Sequence, residues 1–190
     1  MTPSLLKRKI KEILARRERR IINDENLIRA AVLIPIYEKA GEIYILFTKR
    51  TEEVEHHKGQ ISFPGGARSK EDKSLLDTAL RESFEEIGLR PEVVEVLGEL
   101  DDERTFSTNF IISPFVAFVP YPYQFKPNPE EVKELIEVPL SALLNQANFR
   151  EELLTEGDNT FLSYVYLYQN QVIWGATARI LKKLLDLLSG

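Results

Sequence analysis

The distribution of apolar and polar residues along the chain predicts an α/β protein. Residues 28–37 and 42–49 are apolar runs rich in β-branched side chains, and Lys39-Ala40-Gly41 between them predicts a hairpin turn. Apolar residues at helical spacing predict helices elsewhere, and the proline at 139 suits a first helical turn. The predicted strands are 28–37, 42–49, 61–63, 92–101, 109–119, 131–138 and two short strands within 160–174, and the predicted helices are 3–20, 74–88, 139–146 and 176–188. Strands mixed with a few helices favour one layered α/β domain.

The helix over 74–88 has two chemically different faces. Ser74 is a suitable N-cap residue and Gly88 a suitable C-terminal stop. At roughly 100° per residue, one broad face carries a mainly apolar set, and three carboxylates fall nearly opposite to it. The mainly apolar set is Leu76, Ala79, Leu80, Ser83, Phe84 and Ile87, and the carboxylates are Glu82, Glu85 and Glu86. We therefore expect the helix to pack by its apolar face, with the carboxylates facing open space.

The three glutamates are candidate metal ligands. They are spaced i, i+3 and i+4, and carboxylates so close together repel one another unless a positive group lies between them. Glutamates on a helix are most often a solvated surface, but Arg81 and Gly88 flank this group and Gly65-Gly66 precede it. Glycine permits tight turns and close approach of the backbone to a ligand. The pattern favours a hard divalent cation, Mg²⁺ or Mn²⁺, bound through carboxylate oxygens.

Composition limits the class of protein. The chain has 190 residues, 43% of them hydrophobic, and no cysteine, which excludes disulfides, zinc–thiolate sites and a cysteine nucleophile. No apolar run is long enough to cross a membrane, so we expect a cytoplasmic protein without membrane contacts. Net charge is −5, but residues 1–20 carry +6 and the remainder −11. The basic segment is either an amphipathic helix packed on the domain or an arm that attracts anions; nucleic-acid binding is not expected.

The stretch from Gly66 to Gly88 resembles the signature of the Nudix hydrolases, a glycine and spacer followed by Arg-Glu-x-x-Glu-Glu-x-Gly. Gly66 lies fifteen residues before Arg81, one more than in the usual signature, and Asp72 stands where a glutamate is usual. The longer spacer fits the coenzyme A pyrophosphatase branch. Arg50, Gly59 and Phe63-Pro64-Gly65-Gly66 are similar to the segment that distinguishes that branch.

The resemblance covers roughly residues 28–185. It implies a Nudix-type α/β/α sandwich with a mixed β-sheet, in a single domain with an N-terminal helix. We accordingly divide the chain into a basic N-terminal helix, 1–25, and a Nudix hydrolase domain, 26–190. A homodimer is compatible with the sequence, which does not decide the oligomeric state.

The resemblance also implies metal-dependent hydrolysis of a diphosphate linkage by water. The implied metal ligands are Glu82, Glu85 and Glu86, and Arg81 would orient a carboxylate by a bidentate salt bridge. The implied proton acceptor is Glu82 or Glu131, and the sequence does not choose between them. The candidate phosphate-binding residues are Arg50, Lys58 and Arg68, and Gly65 and Gly66 are expected to line the substrate and metal site through their backbone.

Three hypotheses about the substrate follow. The first is coenzyme A or its acyl derivatives, which would give 3′,5′-ADP and 4′-phosphopantetheine. The second is another nucleoside diphosphate derivative, such as ADP-ribose, a dinucleotide or a dNTP; Glu55 favours it, because the coenzyme A branch usually has arginine there. The third is a Nudix-fold binding protein without catalysis, which should have lost carboxylates from the signature helix, whereas this chain keeps all three.

Overall fold

The computed structural model describes residues 3–51, 59–106, 108–156 and 159–189. The predictions for Glu55 and Lys58 concern residues outside these ranges. Within them the helices are α1 Pro3–Arg16, α2 Leu75–Ile87, α3 Leu140–Leu144 and α4 Gly175–Ser189, with short 3-10 turns at Pro91–Val93 and Gln146–Asn148. The strands are β1 Ile28–Lys39, β2 Glu42–Arg50, β3 Ile61–Ser62, β4 Gly65–Ala67, β5 Glu95–Glu99, β6 Glu103–Arg104, β7 Phe110–Phe118, β8 Val132–Pro139, β9 Phe149–Glu156, β10 Asn159–Tyr168 and β11 Gln171–Ile173.

A mixed sheet forms the centre of the fold. Its strand order is β3-β2-β1-β7-β5, with β4 beside β1, β6 beside β7 and β8 beside β2. Strands β1 and β7 are parallel, whereas β1 and β2 form the predicted antiparallel hairpin. The hairpin turn places Ala40 and Gly41 at positive φ, as a two-residue primed turn requires. A second sheet, β11-β10-β9, lies beside the first, so the predicted α/β fold with a mixed sheet is confirmed.

Strand β1 is buried on both faces, which explains its nearly continuous apolar sequence. Ile34 and Ile36 belong to the core that includes α1 and α4. Leu33 and Tyr37 point to the other face, where they join a core that includes residues of α2. The carboxylate-bearing helix is thereby held on one side of the sheet, with α1 and α4 on the other. In the described part of the chain, no helix is long and apolar enough to cross a membrane.

The basic N-terminal segment packs on this domain, in the same core as α4. Leu6, Ile10 and Leu14 of α1 are buried there. A Cβ built on Gly98 of β5 would lie 2.6 Å from the Cβ of Leu14, so the helix needs a residue without a side chain beneath it. Of its bases, Lys7 pairs with Glu95. These contacts support the amphipathic-helix interpretation of the segment.

Helix α1 ends at Arg16 rather than near residue 20 as predicted. The backbone N–H groups of Arg20 and Ile22 donate to the carboxylates of Asp101 and Asp102, at 2.8 and 3.0 Å. Arg17 forms a salt bridge with Asp101 as well. The segment after α1 is therefore bound to the acidic residues that follow β5, and its backbone donors are not available to extend the helix.

Three strands were not predicted: β4, β6 and β9. Strand β4 contains Gly65 and Gly66, which have low strand propensity, and it forms because β1 offers an unpaired edge there. Strand β9 is largely polar and pairs with the longer β10. The strand predicted over 92–101 is shorter, because Pro91–Val93 form a 3-10 turn before it.

Candidate active site

Helix α2 has well-defined ends, which fix the directions of its side chains. The Ser74 hydroxyl accepts a hydrogen bond from the backbone N–H of Asp77 at 3.1 Å, as in an N-cap. At the other end Gly88 adopts a left-handed conformation, with φ of 67°. The N–H of Gly88 donates to Phe84 and that of Leu89 to Ser83, a pattern that satisfies the last carbonyl groups of a helix. The predicted bounds of this helix are confirmed to within a residue at each end.

The prediction that all three carboxylates face open space is wrong. Glu86 is only 4% exposed, and the Glu82 side chain is 17% exposed. Only Glu85, with half its side chain exposed, faces solvent. Conversely, Phe84 of the expected apolar face is 52% exposed. Strand β4 lies against the side of the helix that carries Glu82 and Glu86, which accounts for the burial of these two carboxylates.

The two glycines of β4 touch these carboxylates directly. The backbone N–H of Gly65 donates to Oε2 of Glu86 at 3.3 Å. At Gly66 an added Cβ would lie 2.5 Å from the carboxyl carbon of Glu82. The absence of a side chain at 66 therefore leaves room for the Glu82 carboxylate, and the Gly65-Gly66 pair brings backbone and carboxylates together.

Burial raises the pKa of Glu86 to about 8. The charge of Arg50 and the hydrogen bond from Gly65 oppose this shift, whereas the negative charges of Glu131 and Glu82 add to it. Burial also raises the pKa of Glu82, against the hydrogen bond from Arg81. The charge of Glu131 acts on both groups. The negative charge of Glu131 thus reaches both carboxylates, and we call Glu82, Glu86 and Glu131 the acidic cluster.

Arg81 links the helix to the loop that precedes it. Its Nε and Nη2 donate to the two carboxylate oxygens of Asp72, each at 2.9 Å. Its Nη1 donates to Glu82 at 2.7 Å and to Glu85 at 3.1 Å. The Arg81 hydrogen bonds hold the pKa of Asp72 well below its usual range. Arg81 thus has the bidentate geometry of a residue that orients carboxylates.

The remaining candidates differ in how freely they can contact a ligand. The Nε of Arg50 is buried and donates no hydrogen bond to the described residues, and none of the acidic residues among them lies within salt-bridge distance of its guanidinium. Arg68 is exposed and donates to the backbone oxygen of Asp72 at 3.3 Å. It lines an open groove together with Ile28, Arg29, Ser69 and Lys70. Lys58 lies outside the described residues.

The donor chemistry of the cluster fits a hard divalent cation. Glu82, Glu86 and Glu131 supply carboxylate oxygens. The buried Glu86 carboxylate forms no salt bridge with any described residue. In those same ranges, no three acidic or histidine side chains are gathered at metal-binding spacing. Arg81 is one reason why the carboxylates are not gathered at that spacing, because its guanidinium binds oxygens of both Glu82 and Glu85. Glu85 is thus turned away from the other two.

Comparison with known proteins identifies the family. A model of the NUDIX domain matches residues 27–157. The uncharacterized Nudix hydrolase NudL of Yersinia pestis (strain Pestoides F) is 40% identical over 162 residues, which are 85% of this chain and 80% of that protein. NudL of Yersinia pseudotuberculosis (strain IP 31758) is similar to the same extent, with the same identity and shares of both chains.

Solved structures show the same fold at lower identity. A MutT/nudix family protein from Enterococcus faecalis aligns with 100% of this chain and 75% of its own, at a TM-score of 0.57 and 14% identity. An Ap4A hydrolase of C. elegans in a binary complex aligns with 62% of this chain and 84% of its own, at a TM-score of 0.52 and 16% identity. Together with the domain match and the NudL relatives, these likenesses establish that the chain belongs to the Nudix family of pyrophosphohydrolases.

Proposed function

We propose that this Nudix hydrolase cleaves the diphosphate linkage of coenzyme A and its acyl derivatives, with Mg²⁺ or Mn²⁺, to give 3′,5′-ADP and 4′-phosphopantetheine. The observation that carries the proposal of diphosphate hydrolysis is the acidic cluster, whose Glu82 and Glu86 carboxylates lie directly against the glycines of β4. The choice of coenzyme A is supported by the resemblance of Arg50, Gly59 and residues 63–66 to the coenzyme A branch.

A diphosphate and a group of carboxylates repel one another, so a cation must separate them. A bound Mg²⁺ or Mn²⁺ would neutralise phosphate oxygens and lower the pKa of a bound water. The residues that would hold it are Glu82 and Glu86, with a backbone carbonyl of Gly65 or Gly66. Glu85 joins them only if it leaves Arg81, with which it forms a salt bridge.

The protein groups then divide the remaining tasks. Arg81 orients Glu82 by its hydrogen bond and contacts no substrate in this proposal. Arg50 binds a phosphate oxygen, because its charge acts on Glu86 and its buried Nε–H has no hydrogen-bond partner in the part of the chain that the structure describes. Arg68 extends the phosphate contacts along the exposed groove. Glu131 accepts the proton of the attacking water, since the Glu82 carboxylate is already bound by Arg81.

A second candidate is hydrolysis of another nucleoside diphosphate derivative, and Glu55 favours it by placing an anion where the coenzyme A branch has a cation. The two candidates share the cluster and the chemistry and differ in the contacts that select the rest of the substrate. A homodimer and a cytoplasmic location remain predictions.

A substrate panel tests the proposal. Purified protein is incubated with coenzyme A, acetyl-coenzyme A, ADP-ribose, a diadenosine polyphosphate and a dNTP, each with Mg²⁺ and with Mn²⁺, and the products are resolved by chromatography. We expect 3′,5′-ADP and 4′-phosphopantetheine from coenzyme A. Intact coenzyme A beside cleaved ADP-ribose would contradict the substrate assignment. Failure to cleave any compound would instead support a binding protein without catalysis.

A further inference from the structure

We infer that Asn128 is a positioning residue, which holds the carboxylate of Glu131 in place to receive a proton from the attacking water. The inference rests on the proposed function, because it assigns the proton acceptor within that site. The Nδ2 of Asn128 donates to Oε1 of Glu131 at 3.1 Å. In the described ranges, this is the hydrogen bond that fixes the Glu131 side chain.

The orientation of the Asn128 amide follows from its other contact. Its Oδ1 accepts a hydrogen bond from the backbone N–H of Glu130 at 3.1 Å, so the amide oxygen points to the main chain. An amide with its oxygen committed in this way presents its nitrogen to the opposite side, where Glu131 lies. Asn128 therefore supplies a donor to the carboxylate and cannot supply an acceptor there.

The backbone of Asn128 is docked on the end of the carboxylate helix. Its N–H donates to the carbonyl oxygen of Glu86 at 2.8 Å, and the N–H of Lys126 donates to that of Ile87 at 2.9 Å. The last carbonyl groups of a helix have no partner within the helix, so these two bonds satisfy groups that would otherwise be unpaired. One residue thus connects the helix that carries Glu86 with the loop that carries Glu131.

The backbone of Glu131 is held independently of the Asn128 side chain. Its carbonyl oxygen accepts a hydrogen bond from the N–H of Thr51 at 3.1 Å, and its N–H donates to the carbonyl of Asn128 at 3.1 Å. The Thr51 hydroxyl also donates to the carbonyl of Glu130 at 3.1 Å. Removing the Asn128 amide should therefore release the Glu131 carboxylate while its main chain stays in place.

A double-mutant cycle tests the inference. The four proteins are wild type, Asn128→Ala, Glu131→Gln and the double variant, assayed on whichever diphosphate of the panel the wild type cleaves. We expect Asn128→Ala to lower kcat about 10-fold with KM changed by less than about 2-fold, because the contact orients a reacting group rather than binding substrate. In the Glu131→Gln background, the same change should alter kcat by less than about 2-fold.

A matched control separates this effect from loss of a turn. The Oδ1 of Asn145 accepts from the N–H of Ala147 at 3.0 Å, the same local bond that Asn128 makes to Glu130. Asn145→Ala should leave kcat unchanged. If Asn128→Ala proves unstable, Asn128→Asp replaces it in the cycle; it keeps the oxygen that accepts from Glu130 and turns a charged oxygen toward Glu131 in place of the donor, so its loss of kcat should be larger than that of Asn128→Ala and should again largely vanish in the Glu131→Gln background.

Equal losses of kcat in both Glu131 backgrounds would overturn the inference, because they would show that Asn128 acts on the fold. A normal rate for Glu131→Gln, or a rise in KM at unchanged kcat for Asn128→Ala, would overturn it as well. The wild-type rate in the same assay reports separately on the proposed function.

Discussion

Replacement of Gly66 by alanine should lower activity strongly while leaving the fold intact. The new Cβ would lie 2.5 Å from both Cδ and Oε2 of Glu82 and 2.9 Å from Oε1. Ordinary carbon–carbon contact needs about 3.5 Å or more, so the carboxylate must retreat by about 1 Å. It can do so at little cost in folding energy, because it is the far end of a flexible side chain.

The effect on catalysis should be much larger than the effect on stability. A displacement of about 1 Å in a catalytic geometry can lower the rate about 100-fold. We therefore expect kcat/KM of Gly66→Ala to fall by about one to two orders of magnitude at saturating Mg²⁺. The free energy of unfolding, measured with urea, should change by less than about 1 kcal/mol.

Gly65→Ala is the matched control, because its neighbours cannot move. There the added Cβ would lie 2.3 Å from the backbone oxygen of Ala31 and 2.6 Å from Cα of Val32, at a φ of +153°. We expect this variant to lose several kcal/mol of stability, about 3 or more, since strand β1 itself would have to shift. Normal kcat/KM for Gly66→Ala, or destabilisation equal to that of Gly65→Ala, would refute the reasoning.

Three further changes test other parts of the site. Glu86→Gln keeps the size of a buried side chain and removes its charge, so kcat at saturating Mg²⁺ should fall about 100-fold or more; near-normal turnover would exclude Glu86 as a metal ligand. Asp72→Asn breaks the bidentate contact with Arg81 and should lower the free energy of unfolding at pH 7 by about 2–3 kcal/mol. Because Arg81 lowers the pKa of Asp72, this stabilisation is complete above the usual Asp pKa of about 4 and is lost as pH falls through the lowered pKa. Urea unfolding should therefore show a smaller difference in free energy of unfolding between wild type and Asp72→Asn at pH 3 than at pH 7. An equal difference at both pH values would contradict this. Glu55→Arg should raise kcat/KM for coenzyme A if this position selects the substrate, and an unchanged value would show that it does not.

The bounds of helix α2 could be predicted because they depend on local chemistry. Ser74 and Gly88 act on backbone groups within a few residues of themselves. The burial of Glu86 could not be predicted in this way. It depends on β4, whose glycines give little strand signal and whose pairing with β1 joins residues more than thirty positions apart. Helical periodicity alone therefore places Glu86 on a face that the tertiary structure then covers.

Local sequence patterns also predict only part of the region around Glu131. Glu131 was a sequence candidate for the proton acceptor, and the structure brings its charge within range of Glu82 and Glu86. Asn128 was missed, although the Asn-Pro pair at 128 and 129 is a recognisable turn signal. A turn signal predicts the local bond to Glu130 but gives no information about the distant carbonyl of Glu86, which the Asn128 backbone contacts.

The extra residue between Gly66 and Arg81 is compatible with an intact site, for a geometric reason. Arg81 donates through Nη2 to the carbonyl oxygen of Ala67 at 3.2 Å and to Asp72 at 2.9 Å, so it fixes both sides of the intervening loop to the helix. Asp72 also accepts from the N–H of Ser69 at 2.9 Å, which closes a tight turn within the spacer. This turn lies within the spacer, and Gly66 still meets Glu82 directly. We therefore expect the position of the Glu82 carboxylate to depend on the Arg81–Asp72 pair and the Gly66 contact more than on the number of residues in the spacer.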